Sequence, residues 1–249
     1  MDYDTLLNVI KRRRSVRSYK SDTVPLEDVM KVLEAARWAP SGNNSQPWEF
    51  VVVRDKDKLR QVTEIFVEQS QMLRDKSVNF PNAPNKGYLE KVSTLIIVCG
   101  DPRFKPAYPQ SNADEEMTRM YWENSERIYL QTVTAAICNI LLAATALRLG
   151  TVWLTGAGED ITAQQIKTAL KIPRALDVIC CIPLGPYRSM KDMAYHDQFD
   201  ISRRTPRPLE SMVHIDEFDG GKWRSDEQVG RFIKDKHVRA QFFKSGSID

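Results

Sequence analysis

Along this chain the apolar positions fall into helical and strand periods in alternation. Leu6, Leu7, Val9 and Ile10 mark one side of an opening helix from about Asp4 to Arg13. A second helix is predicted from Pro25. Leu26, Val29, Leu33 and Ala36 recur in it at spacings of three and four, and Glu27 and Asp28 occupy the first turn, where negative charge is favoured. Pro40 cannot sit in a helix interior, so this helix ends at Trp38-Ala39. Glu49 to Val53 then reads as a strand, and Leu59, Val62, Phe66 and Leu73 predict a helix over Lys58 to Arg74. Phe80 to Gly87 is rich in proline and asparagine and reads as a loop.

Thr94 to Gly100 is a continuous apolar run of strand length, the pattern of a strand buried on both faces. After a proline-rich loop, Asp101 to Pro109, a long helix is predicted from about Asp114, ending before Gly150 as its C-terminal cap. From Tyr129 onward this helix is apolar nearly all round, so it must be surrounded, either at the core centre or in an extensive subunit interface. Ala135, Ala136, Ala143, Ala144 and Ala146 allow another helix close, and Asn139 requires a polar partner there. A strand over Thr151 to Thr155, a helix opened by a capping box at Thr162 and Gln165, and a strand over Asp177 to Pro183 follow. From about Ser211 the chain turns polar. The pattern therefore predicts a main domain over residues 1–210 and an extension over 211–249, packed on the surface or on a partner.

With 36 basic against 33 acidic side chains the net charge is only +3, which argues against a general nucleic-acid-binding surface. The longest apolar stretch, Val133 to Leu149, carries Thr134, Asn139, Thr145 and Arg148, too short and too polar for a membrane span. The acidic start, Met1-Asp2-Tyr3-Asp4, is followed by no apolar leader. Cys99, Cys138, Cys180 and Cys181 lie in apolar runs without metal spacing, consistent with reduced thiols and a cytoplasmic location. His196, His214 and His237 are too scattered for a metal site.

Candidate chemistry concentrates in three places. Ser41, Asn43, Asn44 and Gln46 offer neutral donors and acceptors within six residues, in a loop where Gly42 and two asparagines tolerate positive φ. Ser15 and Arg17, on one face if extended, can hold a phosphate between a hydroxyl and a guanidinium. In Gly156-Ala157-Gly158 small residues suit a loop passing close to a ligand, while Ile161 breaks a dinucleotide fingerprint. Paired carboxylates at Glu115-Glu116 and Glu159-Asp160 read as solvated, so the pattern supplies no side-chain acid, base or nucleophile.

Three segments together resemble the FMN-dependent nitroreductase family. They are Arg13-Arg14-Ser15-Val16-Arg17, the loop and strand Ala39-Pro40-Ser41-Gly42-Asn43-Asn44-Ser45-Gln46-Pro47-Trp48 to Val53, and Leu149-Gly150-Thr151-Val152-Trp153 after an alanine-rich helix. Their order and spacing agree as well, over about Asp4 to Val213. The resemblance implies an α+β nitroreductase-like fold, a central mixed or antiparallel sheet sandwiched by helices. It also implies an intertwined homodimer with two FMN sites at the subunit interface. On that likeness Arg13, Arg14, Ser15 and Arg17 bind the FMN phosphate, while Pro40, Ser41, Gly42, Asn44 and Gln46 reach the flavin of the partner subunit. Arg204 or Arg207 closes on the phosphate, although Pro206 interrupts the family's lysine-x-arginine pattern. Asn85 brings an amide near the ring, and Thr155 and Gly156 lie beside it.

The implied activity is an FMN-dependent NAD(P)H oxidoreductase. NADH or NADPH delivers hydride to the flavin and departs, and a small electron-poor acceptor such as a nitroaromatic or quinone is reduced in turn, by ping-pong kinetics. Reductive dehalogenation, ene reduction and substrate oxidation are alternatives on the same fold, and a non-enzymatic FMN-binding protein is a third.

Overall fold

A computed structural model describes residues 2–76, 85–187 and 206–242, with side chains described as far as 234. Four strands form one sheet: β1 (Trp48–Val53), β2 (Thr94–Gly100), β3 (Gly150–Thr151) and β4 (Asp177–Gly185), in the spatial order β1-β2-β4-β3. All three strand pairs are antiparallel, with Trp48 opposite Gly100, Gly100 opposite Asp177, and Thr94 opposite Leu184. Every residue of β2 is buried, as its uninterrupted apolar run predicts.

Because side chains alternate across a strand, the sheet has two apolar faces. Ile96, Val98, Cys180, Ile182 and Leu184 join a core cluster with α2 (Leu26–Arg37) and α4 (Glu115–Ala146). Outside that cluster, α3 (Lys56–Lys76) and α5 (Asp160–Leu170) bury Val62, Phe66, Ala163 and Ile166; Lys58 Nζ donates to the Ala169 carbonyl at 2.9 Å, tying the two helices together. The first helix, α1 (Tyr3–Arg12), is amphipathic yet has no buried residue. The four cysteines are free thiols, with Cys138 exposed on α4.

The described chain divides into two units. One comprises residues 1–67 with 86–189; the other comprises 68–85 with 190–249. In the second lie two short 3₁₀ turns and a helix, α6 (Asp226–Phe242). There His214 stacks on Phe218 at 4.2 Å, and Nδ1 of His214 accepts from the Asp219 amide at 2.9 Å.

Local reasons correct several expectations. On α2 the buried positions are Val29, Val32 and Ala36, while Leu26 is exposed at the first turn. Gly150 is not the cap of α4; it opens β3. Arg148 takes the left-handed conformation instead (φ 58°), with Arg148 N donating to Thr145 O at 3.1 Å and Leu149 N to Ala144 O at 2.8 Å, a Schellman ending. The strand expected over Thr151–Thr155 leaves the sheet after Thr151, and Leu154 rejoins it through a two-residue bridge to Cys181. The helix assigned to a capping box at Thr162 begins at Asp160, and Thr162 is buried. Asn139 does find its partner, donating to the Ala35 carbonyl at 2.9 Å.

By length and composition α4 is apolar enough to cross a membrane. Here it is a core helix on one side. Tyr129, Val133, Ala136, Ile137, Ile140 and Ala144 are buried, whereas Met120, Trp122 and Leu130 are about half exposed on the other side.

Candidate functional site

The arginine-serine segment leaves α1 at Arg13, the C-cap residue. Nη1 of Arg14 donates to the carbonyls of Lys11 and Arg13, the latter at 2.8 Å, so this guanidinium satisfies the helix end. Ser15 then forms a parallel bridge with Thr151, and Val16 N donates to Thr151 O at 2.8 Å. Val16 is buried, and the strand-like alternation sets Ser15 and Arg17 on the opposite side from it, together. Tyr19 anchors the segment from below, its hydroxyl donating to the Val16 carbonyl at 2.9 Å and its ring stacked at 6.2 Å on Tyr88.

Beside Arg17, and two residues before that neighbour, lie groups that motif reading missed. Burial pushes the Tyr88 phenol up to about 12, and the Arg17 guanidinium beside it works in the opposite direction. The Lys86 ammonium stands over the Phe66 ring at 4.9 Å. Burial holds its pKa below the usual lysine value, partly offset by the Glu159 carboxylate and the Cys181 thiol. Neither residue carries a periodic signal, since both sit in an irregular stretch between α3 and β2. Glu159 follows the 3₁₀ turn Thr155–Gly158, in which Thr155 is exposed and Gly156 half-buried. A Cβ on Gly158 would meet the Val178 carbonyl at 2.9 Å, so glycine lets this turn lie directly on the backbone of β4.

The polar loop is the second constellation. Asn43, Asn44 and Gln46 take positive φ (49°, 53° and 47°). Gly42 does not: its lack of a side chain serves close approach, because a Cβ there would meet Ile128 Cγ2 at 2.6 Å and Tyr108 Cε1 at 2.9 Å. The loop is tied down along its length. Gly42 N donates to Thr132 Oγ1 at 3.2 Å, Asn43 Nδ2 to the Ala107 carbonyl at 2.5 Å, and Ser45 Oγ lies 3.1 Å from the Tyr108 hydroxyl. Gln46 N donates to Ser41 Oγ at 3.3 Å, and Gln46 Nε2 to Asn44 Oδ1 at 2.9 Å. Pro40, Asn44 and Gln46 are exposed, and Ser41 is half-buried.

These constellations occupy opposed corners of the sheet. The loop precedes β1 on one edge, at the end where Asp101 N donates to Pro47 O at 2.8 Å and Gly100 faces Asp177. Ser15 pairs with β3 on the other edge, at the end where Thr151 faces Leu184. Four strands and the nine residues of β4 put these corners roughly 30 Å apart. Of the other expected residues, Arg204 lies outside the described residues. Arg207 and Asn85 belong to the second unit, where Arg207 Nη2 donates to the Ser211 carbonyl and Asn85 is exposed.

Chemically, the first corner suits a phosphate beside buried aromatic rings, and the second suits a neutral planar ligand rich in hydrogen-bonding atoms. A phosphate-tailed flavin carries both kinds of group, so the residues fit it, provided the two corners come from different chains.

Comparison with known proteins agrees. The family model described as "Nitroreductase family" matches residues 10–186. A protein of Archaeoglobus fulgidus, provisionally named NADH dehydrogenase/NAD(P)H nitroreductase, is 34% identical over 198 residues, 79% of this chain and 94% of the relative. The iodotyrosine deiodinase of Nematostella vectensis is 27% identical over 214 residues, 82% of this chain and 72% of that protein. Among solved structures, a provisionally named nitroreductase of Desulfovibrio desulfuricans in complex with FMN superposes with a TM-score of 0.59 at 26% identity, covering 86% of this chain and 98% of that one.

Proposed function

Since the chain belongs to the nitroreductase family, we propose that it is an FMN-dependent NAD(P)H oxidoreductase, a cytoplasmic homodimer that reduces small electron-poor acceptors such as nitroaromatics and quinones. The observation that carries this reading is the diagonal separation of two complementary constellations on one sheet. A ring with a phosphate tail cannot bridge roughly 30 Å within one chain. A second copy, arranged about a two-fold axis, supplies the missing corner to each site. Two further features favour pairing: α1 is amphipathic with no buried residue, and α4 leaves Met120, Trp122 and Leu130 exposed. In this reading residues 1–210 form the flavin domain and 211–249 an extension of it.

When bound, FMN would supply the two-electron chemistry between the nicotinamide and the acceptor. The chain's own residues bind and orient. Ser15 and Arg17 would hold the phosphate, with Arg13 and Arg14 adding positive charge. Tyr88 orients Arg17. Thr155 and Gly156 would offer backbone groups to one edge of the ring. From the partner, Pro40, Ser41, Gly42, Asn44 and Gln46 would close over it. Donors placed against the ring's polar edge favour its electron-rich form, the preorganised electrostatics that enzymes use for developing charge. Among the described residues this reading assigns no side-chain nucleophile, and it takes protons for the acceptor from water.

Reductive dehalogenation is the second reading, favoured by the likeness to iodotyrosine deiodinase across 82% of this chain. The visible spectrum of the purified protein, before and after anaerobic NADH or NADPH, tests the shared premise: a flavin band that bleaches supports it. A colourless protein that takes up no FMN ends it. Turnover of a nitroaromatic against an iodophenol then separates the two reactions.

A further inference from the structure

The polar loop is held partly by hydrogen bonds of its own and partly from outside. Asn43, at positive φ, and Ser45 are tied to the carbonyl of Ala107 and the hydroxyl of Tyr108, at the end of the 3₁₀ turn Pro102–Ala107. Inside that turn is a lysine in an unusual setting. Lys105 is 8% exposed; its ammonium lies 2.5 Å from Glu126 Oε1 and faces the rings of Tyr129 at 4.9 Å and Trp122 at 5.8 Å. A carboxylate and two aromatic faces, all from α4, thus enclose one cation. The carbonyl of Lys105 accepts in turn from Tyr108 N at 3.1 Å and from Gln110 Nε2 at 3.2 Å. The charge therefore fixes the turn at the residue whose backbone sets the direction of Tyr108.

We infer that Lys105 is a positioning residue: it locks the turn onto α4, so that Asn43 and Ser45 hold the loop in one geometry against the flavin. This rests on the reading of the loop as part of the flavin site. Lys105 itself touches neither loop side chain. Asp101, at the start of the turn, fixes the loop's other end by donating from its amide to the Pro47 carbonyl at 2.8 Å. The Lys105 pair therefore controls the Asn43–Ser45 side specifically. Its contribution is orientation as well as stability: the Glu126 side chain is 41% exposed, which screens the pair, while the Lys105 side chain is only 11% exposed.

The test compares Lys105→Met, Lys105→Arg, Glu126→Gln and Arg17→Ala in the full-length protein. FMN affinity is read by fluorescence quenching, and the absorption spectrum and midpoint potential of the flavin are read at saturation. Lys105→Met is expected to weaken FMN roughly tenfold and to change spectrum and potential even at full occupancy, which a mere loss of fold stability does not do. Glu126→Gln shifts both in the same direction, and Lys105→Arg restores them. Wild-type spectrum and potential in Lys105→Met, or in Glu126→Gln where the former does not fold, overturn the assignment. So does failure of arginine to restore them. Arg17→Ala keeps the two failures apart. If it weakens FMN while the Lys105 and Glu126 variants behave as wild type, only the positioning role falls. If no variant changes FMN binding, the flavin reading falls and the inference with it.

Discussion

Gly42 stands so close to α4 that a Cβ on it would come within 2.6 Å of Cγ2 of Ile128. The obstructing methyl is attached to a branched Cβ and has little freedom to withdraw. On the next side is the Tyr108 ring, itself engaged with Ser45. Gly42→Ala is expected to push the loop off α4, at a cost of about 1–3 kcal/mol in unfolding free energy and with weaker FMN binding. Denaturant titration alongside flavin titration checks both. Wild-type values in the two together would contradict the close-approach role.

Arg17 is half-buried beside Tyr88, on the same side of its segment as Ser15. A charge-assisted contact to phosphate lost in Arg17→Ala corresponds to about 1.5–3 kcal/mol of binding. Riboflavin, which lacks the phosphate, should bind wild type and variant alike. Equal loss for both ligands would place Arg17 elsewhere than on the phosphate.

Gly100 poses a harder steric case. A Cβ there would lie 2.1 Å from the Tyr129 hydroxyl, which donates to Asp177 Oδ2 at 3.0 Å. Tyr129→Phe should cost about 1 kcal/mol, the value of one hydrogen bond, and Gly100→Ala considerably more, since ring and strand must both move. Thermal melts of the two variants give the order directly.

Alkaline pH should unfold the protein through its buried thiols and phenols. Burial pushes Cys99 up to about 12 and raises Cys180, Cys181, Tyr19, Tyr88 and Tyr129 as well. A group whose folded pKa is raised stabilises fully below its unfolded value and loses that contribution above it. Stability should therefore decline from about pH 8, where unfolded thiols begin to ionise. Lys86, lowered by burial, opposes this: its contribution rises with pH below the normal lysine value. Among the described residues these six buried groups outweigh one, which sets the sign. Unfolding free energies at pH 8 and pH 10.5 measure it, and Tyr88→Phe should flatten the decline.

The exposed side of α1 offers a test of pairing. Leu6 and Ile10 are each 45% exposed on a helix with nothing buried. Aspartate at both positions should leave the melting temperature of the isolated chain nearly unchanged. It should convert a dimer to a monomer in sedimentation, with flavin lost in parallel.

Much of this was readable in the sequence where one physical cause dominated. The Thr94–Gly100 run could only be a doubly covered strand, Pro40 had to end a helix, and Asn139 had to find a polar partner. Expectations slipped where tertiary contact outweighed local preference. Glycine suggested backbone freedom at position 42 and a helix cap at 150, yet the first is a matter of space and the second a strand residue, while Arg148 accepts the left-handed turn. Lys86, Tyr88 and Lys105 were invisible to motif reading because each acquires its meaning from neighbours far along the chain.

The opposed corners also bear on how damage is inherited. One protein lacking Arg17 and another with a ruined Ser41–Gln46 loop are each expected to be colourless. In the proposed dimer, the two mixed in one cell would pair so that one cavity collects both lesions and its twin collects none. Half the native pigment should then return in every hybrid, a genetic complementation between two dead alleles.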